Sequence, residues 1–359
     1  MPTIAAEKLE ALGEAVFVAA GAGLAEAERT AASLVAANLV GCDTHGVIRI
    51  PQYLDMIRDG LVATKAAVEV VRETAATAVI DGHWGFGQVT AATAMRLAIQ
   101  KARATGLGAV GARRCNHVGR VGEYPMFAAA AGMVGLATVN SAHGGVVRMA
   151  PFGGTQGRVG LNVLSVALPR SEGPPFLLDM TCSVIPEGKV RLLRNKGEPL
   201  PPDAAIDGEG RSTRDPAAVY GPPLGALLPL GGAAGHKGFG LALVCDILSG
   251  ALGGAGTAGT DAQHPGNGAF FLALDLSQMR DPEAFARDVA ALAAHVKDCP
   301  RAAGVEEIFI PGEIEARIEE RRRREGIPVD EETWRQIAAA ASTFPAAKAI
   351  VEQIAAAGR

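Results

Sequence analysis

Aromatic residues fill only 4% of this 359-residue chain, so its interior has to be built from Ala, Val, Leu and Ile, with 45 glycines letting backbones approach closely. No apolar run is long enough to span a bilayer. The opening residues, MPTIAAEKLEALGEAV, lack the basic-then-apolar order of a secretory signal. Cysteine is sparse: Cys42, Cys115, Cys182, Cys245 and Cys299 are odd in number and irregularly spaced, with no CxxC, which argues against a disulfide framework or a cysteine-rich metal site. The histidines form no HExxH, no HxH and no Cys-His spacing, so no metal is expected. Lys and Arg (34) are outnumbered by Asp and Glu (38), which leaves no global attraction to nucleic acid or to a membrane. The one basic run, the arginines at 321–324, is flanked by acidic residues and is expected to be a solvated helix face. These features describe a cytoplasmic globular chain, long enough for two domains.

Helical periodicity marks residues 5 to about 60, with a stop at Gly41 and a third helix capped by Asp43 or Thr44 that carries Pro51 inside it, where a kink or an early break is expected. Beyond residue 66 short β-branched runs take over: VEVV (68–71), ATAVIDG (76–82), GAVGARR (108–114), GLATVN (135–140), LSVALP (164–169), FLLDM (176–180), AFFLALDL (269–276) and VEEIFIP (305–311). Helical stretches are expected at 88–105, 122–132 and 238–252, and again from about 330. The Gly-, Pro- and Asp-rich stretch 196–225 reads as a long surface excursion. The expected fold class is α/β (α+β), with a helical domain from both chain ends (1–70 plus 315–359) beside a mixed α/β domain (71–314).

A GxGxxG occurs at Gly106, Gly108 and Gly111, but a helix precedes it and a strand comes after. That reverses the order that sets a pyrophosphate on a helix N-terminus, so it reads as a helix-to-strand turn. In DTHGVIRIPQY, His45, Arg49 and Tyr53 fall at i, i+4 and i+8 along one helix edge. An imidazole moves protons near neutral pH and a guanidinium grips a carboxylate by two bonds, a combination that suits a 2-oxo or 2-hydroxy acid. A solvated His and Arg on an amphipathic helix would look the same. NHVGRVGEY places His117 between a strand end and a helix start, facing a ligand or simply capped in its loop. In LDMTCS, Asp179 ends an apolar strand and either orients a histidine or caps the next segment. In LGGAAGHKGFGL, His236 and Lys237 sit among glycines at a helix start, an anion site that fails the Walker spacing. IPGE (310–313) by itself is only a turn.

Taken in order, THGVIRIPQY, NHVGRVGEY, LDMTCS, NKGEPLPPDAAIDGEGRSTRDPAAV, GGAAGHKGFGLALVCDILSGAL and EEIFIPGE resemble the malate/L-lactate dehydrogenase family, which includes ureidoglycolate, sulfolactate, diketogulonate and piperideine-carboxylate enzymes. The resemblance covers about residues 5–334. It implies a homodimer with a non-Rossmann nicotinamide-binding fold, NAD or NADP as cofactor, and a small carboxylate substrate. It also implies hydride transfer at the 2-carbon, with a cyclic imino acid reductase as the alternative and a non-catalytic nucleotide-binding protein as the reading from another class. By the same resemblance His45 is the proton donor, with Thr44 and Asp179 as relay partners, and His117 competes for the role. Arg49 binds the substrate carboxylate, aided by Tyr53 and Asn162. Val118, Gly119, Ser141, Met180, Thr181, His236, Lys237, Pro311, Gly312 and Glu313, together with His117, neighbour the cofactor. The chain departs from the family pattern at Thr44 (usually Ser), at GLNV (160–163), in LDMTCS, and in NSAHGGVVRMAPFGG, which carries His143 and Arg148.

Overall fold

The computed structural model describes residues 2–141, 148–260 and 264–357, so His143 lies outside the described residues. The chain begins with β1 (Thr3–Ile4), α1 (Ala6–Ala19), α2 (Leu24–Leu39) and, after two single 3-10 turns, α3 (Ile50–Arg58). It then enters the sheet region through β2 (Glu69–Glu73), β3 (Thr77–Asp81), α4 (Gly87–Thr105), β4 (Leu107–Cys115), α5 (Glu123–Ala130), β5 (Met133–Val139), β6 (Val163–Leu168) and β7 (Phe176–Thr181). Next come α6 (Glu187–Lys196), three two-residue strands β8 (Ala205–Ile206), β9 (Ser212–Thr213) and β10 (Ala226–Leu227), α7 (Gly235–Asp246) and β11 (Asn267–Asp275). The chain closes with α8 (Pro282–Lys297), α9 (Glu313–Glu325), β12 (Ile327–Pro328), α10 (Glu331–Ala341) and α11 (Pro345–Ala357).

Seven strands form one mixed sheet in the order β2-β3-β4-β11-β5-β6-β7. Only β3 and β4 run parallel, joined by the α4 crossover, while β11 returns late in the chain and lies antiparallel to both β4 and β5. Its small and β-branched inner residues pack on α4 and α5, with Tyr124 and Phe271 as the largest buried rings. Scarce aromatics are offset by glycine: a Cβ on Gly108 would sit 1.9 Å from the Ala98 carbonyl, so α4 lies on β4 at a distance only glycine permits. The GxGxxG is thus the α4–β4 turn and its packing contact, with Gly106 in the left-handed helix cap. A separate apolar cluster joins both chain ends, with Leu9, Leu12, Phe17, Leu34 and Ile50 packed against Ile337, Ala341 and Ile354.

Four local expectations need correction. VEEIFIP (305–311) forms no strand; its only ladder-like bond is from the Leu177 N–H to the Pro311 carbonyl, and charge pairs at Glu307 anchor it instead. Residues 196–225 are no bare excursion, because Leu200, Ala204, Ala205 and Val219 are buried in a small core with Val190 and Leu193 of α6. Arg322 leaves the solvated face and pairs with Asp43, whereas Arg323 and Arg324 stay on the surface. The helix expected from residue 43 breaks at Gly46, whose ψ of −153° is extended, and restarts with Pro51 in its first turn.

Candidate active site

The break at Gly46 decides the geometry. Thr44 and His45 stand on one 3-10 turn, Arg49 on the next, and Tyr53 inside α3, so the three groups do not share one helix edge. They converge nonetheless, because Val47 N–H donates to buried Asn38 Oδ1 (2.8 Å) and Arg49 Nε donates to the Thr44 carbonyl (2.7 Å), folding the turns against α2. His117, just past β4, stacks on His45 with ring centroids 5.4 Å apart and planes 16° from parallel.

Each imidazole is anchored at Nδ1. His45 Nδ1 meets Thr44 Oγ1 at 3.1 Å, and His117 Nδ1 meets the Tyr53 hydroxyl at 2.7 Å. Gln88 Nε2 donates to that same hydroxyl at 2.7 Å, with the amide assigned so that nitrogen faces Tyr53. The Tyr53 proton is then directed to His117 Nδ1, which fixes the His117 proton on Nε2. His117 therefore presents a donor to the cleft, whereas His45 presents a lone pair there when its proton sits on the Nδ1 that faces the Thr44 hydroxyl. Neither Nε2 has a protein partner among the described residues. Both residues are partly exposed.

Burial foremost, then the charges of Arg49 and Arg120, hold His45 neutral down to about 4. Burial foremost, then Arg49 and His45, holds His117 well below the ordinary histidine range. An unfolded histidine takes up its proton near 6.5, so between 6.5 and 4 the unfolded chain binds more protons than the folded one. Stability should therefore fall as pH drops, by about 2 kcal/mol for His45 between pH 7.5 and 5, with His117 adding a loss of the same sign. Urea unfolding at those two pH values should show the loss, and His45→Gln should lessen it; an equal loss in that variant would contradict the assignment.

Arg49 spends one N–H on Thr44 and one, from Nη1, on Gln52 Oε1 (2.6 Å). Its three other N–H groups, both of those on Nη2 among them, have no acceptor among the described residues. That free end can take a carboxylate in the two-bond fork. The first turn of α6 presses on the same loop: a Cβ on Gly188 would lie 2.7 Å from Thr44 Cγ2.

The other expected site residues divide. Tyr53 is 2% exposed, so it positions His117 from behind. Asn162 is fully buried, its Oδ1 accepting the Ser141 N–H (3.2 Å) and its Nδ2 donating to the Ala242 carbonyl (2.9 Å), so its amide is spent on the fold and not on substrate. Asp179 does not reach His45: its Oδ2 accepts the Gly122 N–H at 3.0 Å and lies 3.6 Å from Arg120 Nε. Burial pushes the Asp179 carboxyl up, with Arg120 opposing. Val118 and Gly119 come after His117 as a buried pair, and the Val118 N–H donates to Asn267 Oδ1. Thr181 bonds the Leu161 carbonyl (2.8 Å), and Met180 pairs with Leu164 across the β6–β7 ladder.

His236 and Lys237 open α7, with the His236 ring edge-on to Phe152 (5.6 Å). The preceding Gly231 and Gly232 have φ of 120° and 53°, and nothing lies within 4 Å of a Cβ built on Gly232. This open glycine loop, the helix start and the Lys237 ammonium, which has no partner among the described residues, fit a phosphate-bearing group. Glu313, in contrast, is engaged by Arg170 (3.0 Å) and Lys297 (2.7 Å), and these partners with the Ile310 N–H hold it down to about 2 against its burial. Its carboxylate is occupied, which leaves Pro311 and the left-handed Gly312 to line that turn. Leu177, bonded to Pro311, and Cys182, bonded to Leu230, place the turn and the glycine loop at opposite ends of β7, about 17 Å apart at 3.4 Å per residue.

Sequence reasoning missed Gln88, Arg120 and Gly188. Arg120 stands inside the quoted NHVGRVGEY, where an arginine among glycines and valines was a usable signal. Nothing local marks Gln88, whose role arises only when α4 packs behind Tyr53.

The family model for malate/L-lactate dehydrogenase matches residues 4–338. A malate dehydrogenase of Pyrococcus abyssi is 38% identical over 85% of this chain and 84% of its own length. Among solved structures, the malate dehydrogenase of Entamoeba histolytica superposes with a TM-score of 0.91 at 27% identity, covering 95% of this chain and 98% of that one. The delta1-piperideine-2-carboxylate reductase of Pseudomonas syringae superposes with a TM-score of 0.83 at 28% identity, over 95% and 100%. With the fold, the motif order and the match over nearly its whole length in agreement, the chain belongs to the malate/L-lactate dehydrogenase family of oxidoreductases.

Proposed function

We propose that this enzyme moves hydride between NAD(P)H and the 2-carbon of a small 2-oxo/2-hydroxy carboxylic acid, with His45 as the acid/base and Arg49 as the carboxylate anchor. The observation that carries this is the free fork of Arg49 beside two stacked imidazoles whose Nε2 atoms have no partner among the described residues. The substrate carboxylate docks on Arg49. The His117 Nε2–H holds the 2-oxygen, and His45 Nε2 takes the hydroxyl proton during oxidation and returns it during reduction. Thr44 fixes the His45 ring, while Tyr53 and Gln88 fix that of His117. Asp179 acts on this site through Arg120.

The glycine loop with His236 and Lys237 and the turn at Pro311 and Gly312 would hold the coenzyme, with Ser141, Met180 and Thr181 between them. When bound, the coenzyme's nicotinamide supplies or accepts the hydride. A homodimer is supported by exposed Val244, Ile247 and Leu252, an apolar stripe along α7 and the turns after it (51%, 55% and 59% exposed). No helix among the described residues is long and apolar enough to cross a membrane, and we place the enzyme in the cytoplasm.

The test is a panel of 2-oxo acids and cyclic imino acids with NADH and NADPH, followed by absorbance. Consumption with a 2-oxo acid is expected. Turnover confined to imino acids would favour the reductase reading that the Pseudomonas syringae neighbour suggests. Coenzyme binding with no turnover on any member would leave only a nucleotide-binding role.

A further inference from the structure

We propose that Arg322 of α9, acting through Asp43 and Asn38, is the positioning residue that fixes the turn carrying His45. The inference rests on His45 being the acid/base of the proposed function. That turn has little to hold it from within. It consists of two single 3-10 turns interrupted at the extended Gly46, where a continuous helix would carry an unbroken ladder of bonds. Its place is set from outside. Asn38, 4% exposed at the end of α2, spans it: Nδ2 donates to Asp43 Oδ1 (2.6 Å) and Oδ1 accepts the Val47 N–H (2.8 Å). The two residues bridged in this way bracket Thr44, His45 and Gly46. Gly46 lies flat against the bridge, because a Cβ there would run into the Asn38 amide.

Arg322 closes the bridge, 279 residues further along the chain. Its Nη1 and Nη2 donate to the two Asp43 oxygens (2.6 and 3.0 Å), and Nη1 also donates to the Asn38 carbonyl. One guanidinium thus grips both members of the Asn38–Asp43 contact, in a planar fork that an ammonium cannot copy. The Arg322 side chain is only 11% exposed, which sets it apart from a loose surface pair. Ile318, one turn earlier on α9, packs on the left-handed Gly41, its Cδ1 3.0 Å from where a Cβ would stand. Two residues on one face of α9 therefore seat the helix on the exit of α2. Arg323 and Arg324, by contrast, pair with Glu319 and Glu325 of their own helix. The clamp bears on His45 and not on His117, whose ring is fixed separately by Tyr53 and Gln88. Opening it leaves the His45 turn tied by the Arg49 bond to the Thr44 carbonyl but free of α2, so His45 Nε2 drifts from the 2-oxygen that His117 holds.

The experiment follows the His45 and His117 ring resonances in protein labelled with 13C-histidine, each assigned by its loss in the His→Gln variant. This readout needs no turnover. Arg322→Gln should shift and broaden the His45 resonance while His117 keeps the carbon shifts of its Nε2–H tautomer. The kcat for the best 2-oxo acid should fall about 10–100-fold, the scale set by a misplaced reacting group, and the coenzyme dissociation constant should not move. Asp43→Ala, at a half-exposed position, should reproduce both changes and serves where Arg322→Gln fails to fold. Arg323→Gln, one residue along and paired only on its own helix, should alter neither resonance nor rate. A wild-type kcat with an unmoved His45 resonance in folded Arg322→Gln or Asp43→Ala would overturn the proposal, and so would equal disturbance of His45 and His117. A displaced His45 ring in a protein whose wild type is inactive on the whole substrate panel would sink the functional reading and leave the clamp standing. Loss of turnover in His45→Gln with Arg322→Gln at the wild-type rate would do the reverse.

Discussion

Replacing His45 by glutamine is expected to lower kcat/KM for the best 2-oxo acid by about 10²–10⁴-fold, the range a positioned proton-transfer group supplies. Glutamine is chosen because its amide can keep a bond to Thr44 Oγ1 and fill the space beside His117, so the loss reports proton transfer and not collapse of the stack. Coenzyme affinity should be unchanged. His117→Gln should cost less, about tenfold, because His117 with its proton fixed on Nε2 contributes a hydrogen bond to the oxygen and not the mobile proton. Steady-state kinetics of the two variants side by side check the assignment. If His117→Gln is the more damaging, the proton belongs to His117 and the Tyr53–Gln88 relay orients a base instead of a donor.

Arg49→Ala carries the second large effect. Removing the fork should weaken carboxylate substrates by about 1.5–3 kcal/mol, seen chiefly as a raised KM. Arg49→Lys should recover little, because an ammonium cannot make two parallel bonds and cannot also hold the Thr44 carbonyl as Nε does. A modest fall in kcat should accompany the rise in KM, since that Nε bond ties the His45 turn to the Arg49 turn. Coenzyme dissociation constants measured by fluorescence should not move; a matching loss of coenzyme affinity would place Arg49 in the wrong site.

The fold was legible wherever local pattern decided it. Seven of the eight β-branched runs became the strands of the central sheet, and the order of helix and strand around Gly106 excluded the Rossmann reading. The eighth run, 305–311, has the composition of a strand, but pairing depends on a free sheet edge, which local sequence does not encode. The helical edge through His45, Arg49 and Tyr53 named the right residues by the wrong geometry. Gly46 breaks that helix, and tertiary contacts with Asn38 and His117 restore the convergence. Arg49 and His45 could be found because their chemistry is rare beside a short Thr-His-Gly turn. Asn162, Glu313 and Asp179 could not be sorted from sequence, because whether a polar side chain faces a ligand or is spent on a buried backbone group or ion pair depends on partners as far as 143 residues away in the chain. For the same reason Arg120 and Gln88 emerged only once α4 and β7 were in place.

The most direct test is a crystal structure with NADH and oxamate, an unreactive analogue of a 2-oxo acid. The oxamate carboxylate should lie across the free fork of Arg49, with its carbonyl oxygen within hydrogen-bond reach of the His45 and His117 Nε2 atoms and its 2-carbon against the nicotinamide. A complex in which the nicotinamide lies away from these two stacked rings, or in which another cation takes the carboxylate, would contradict the account.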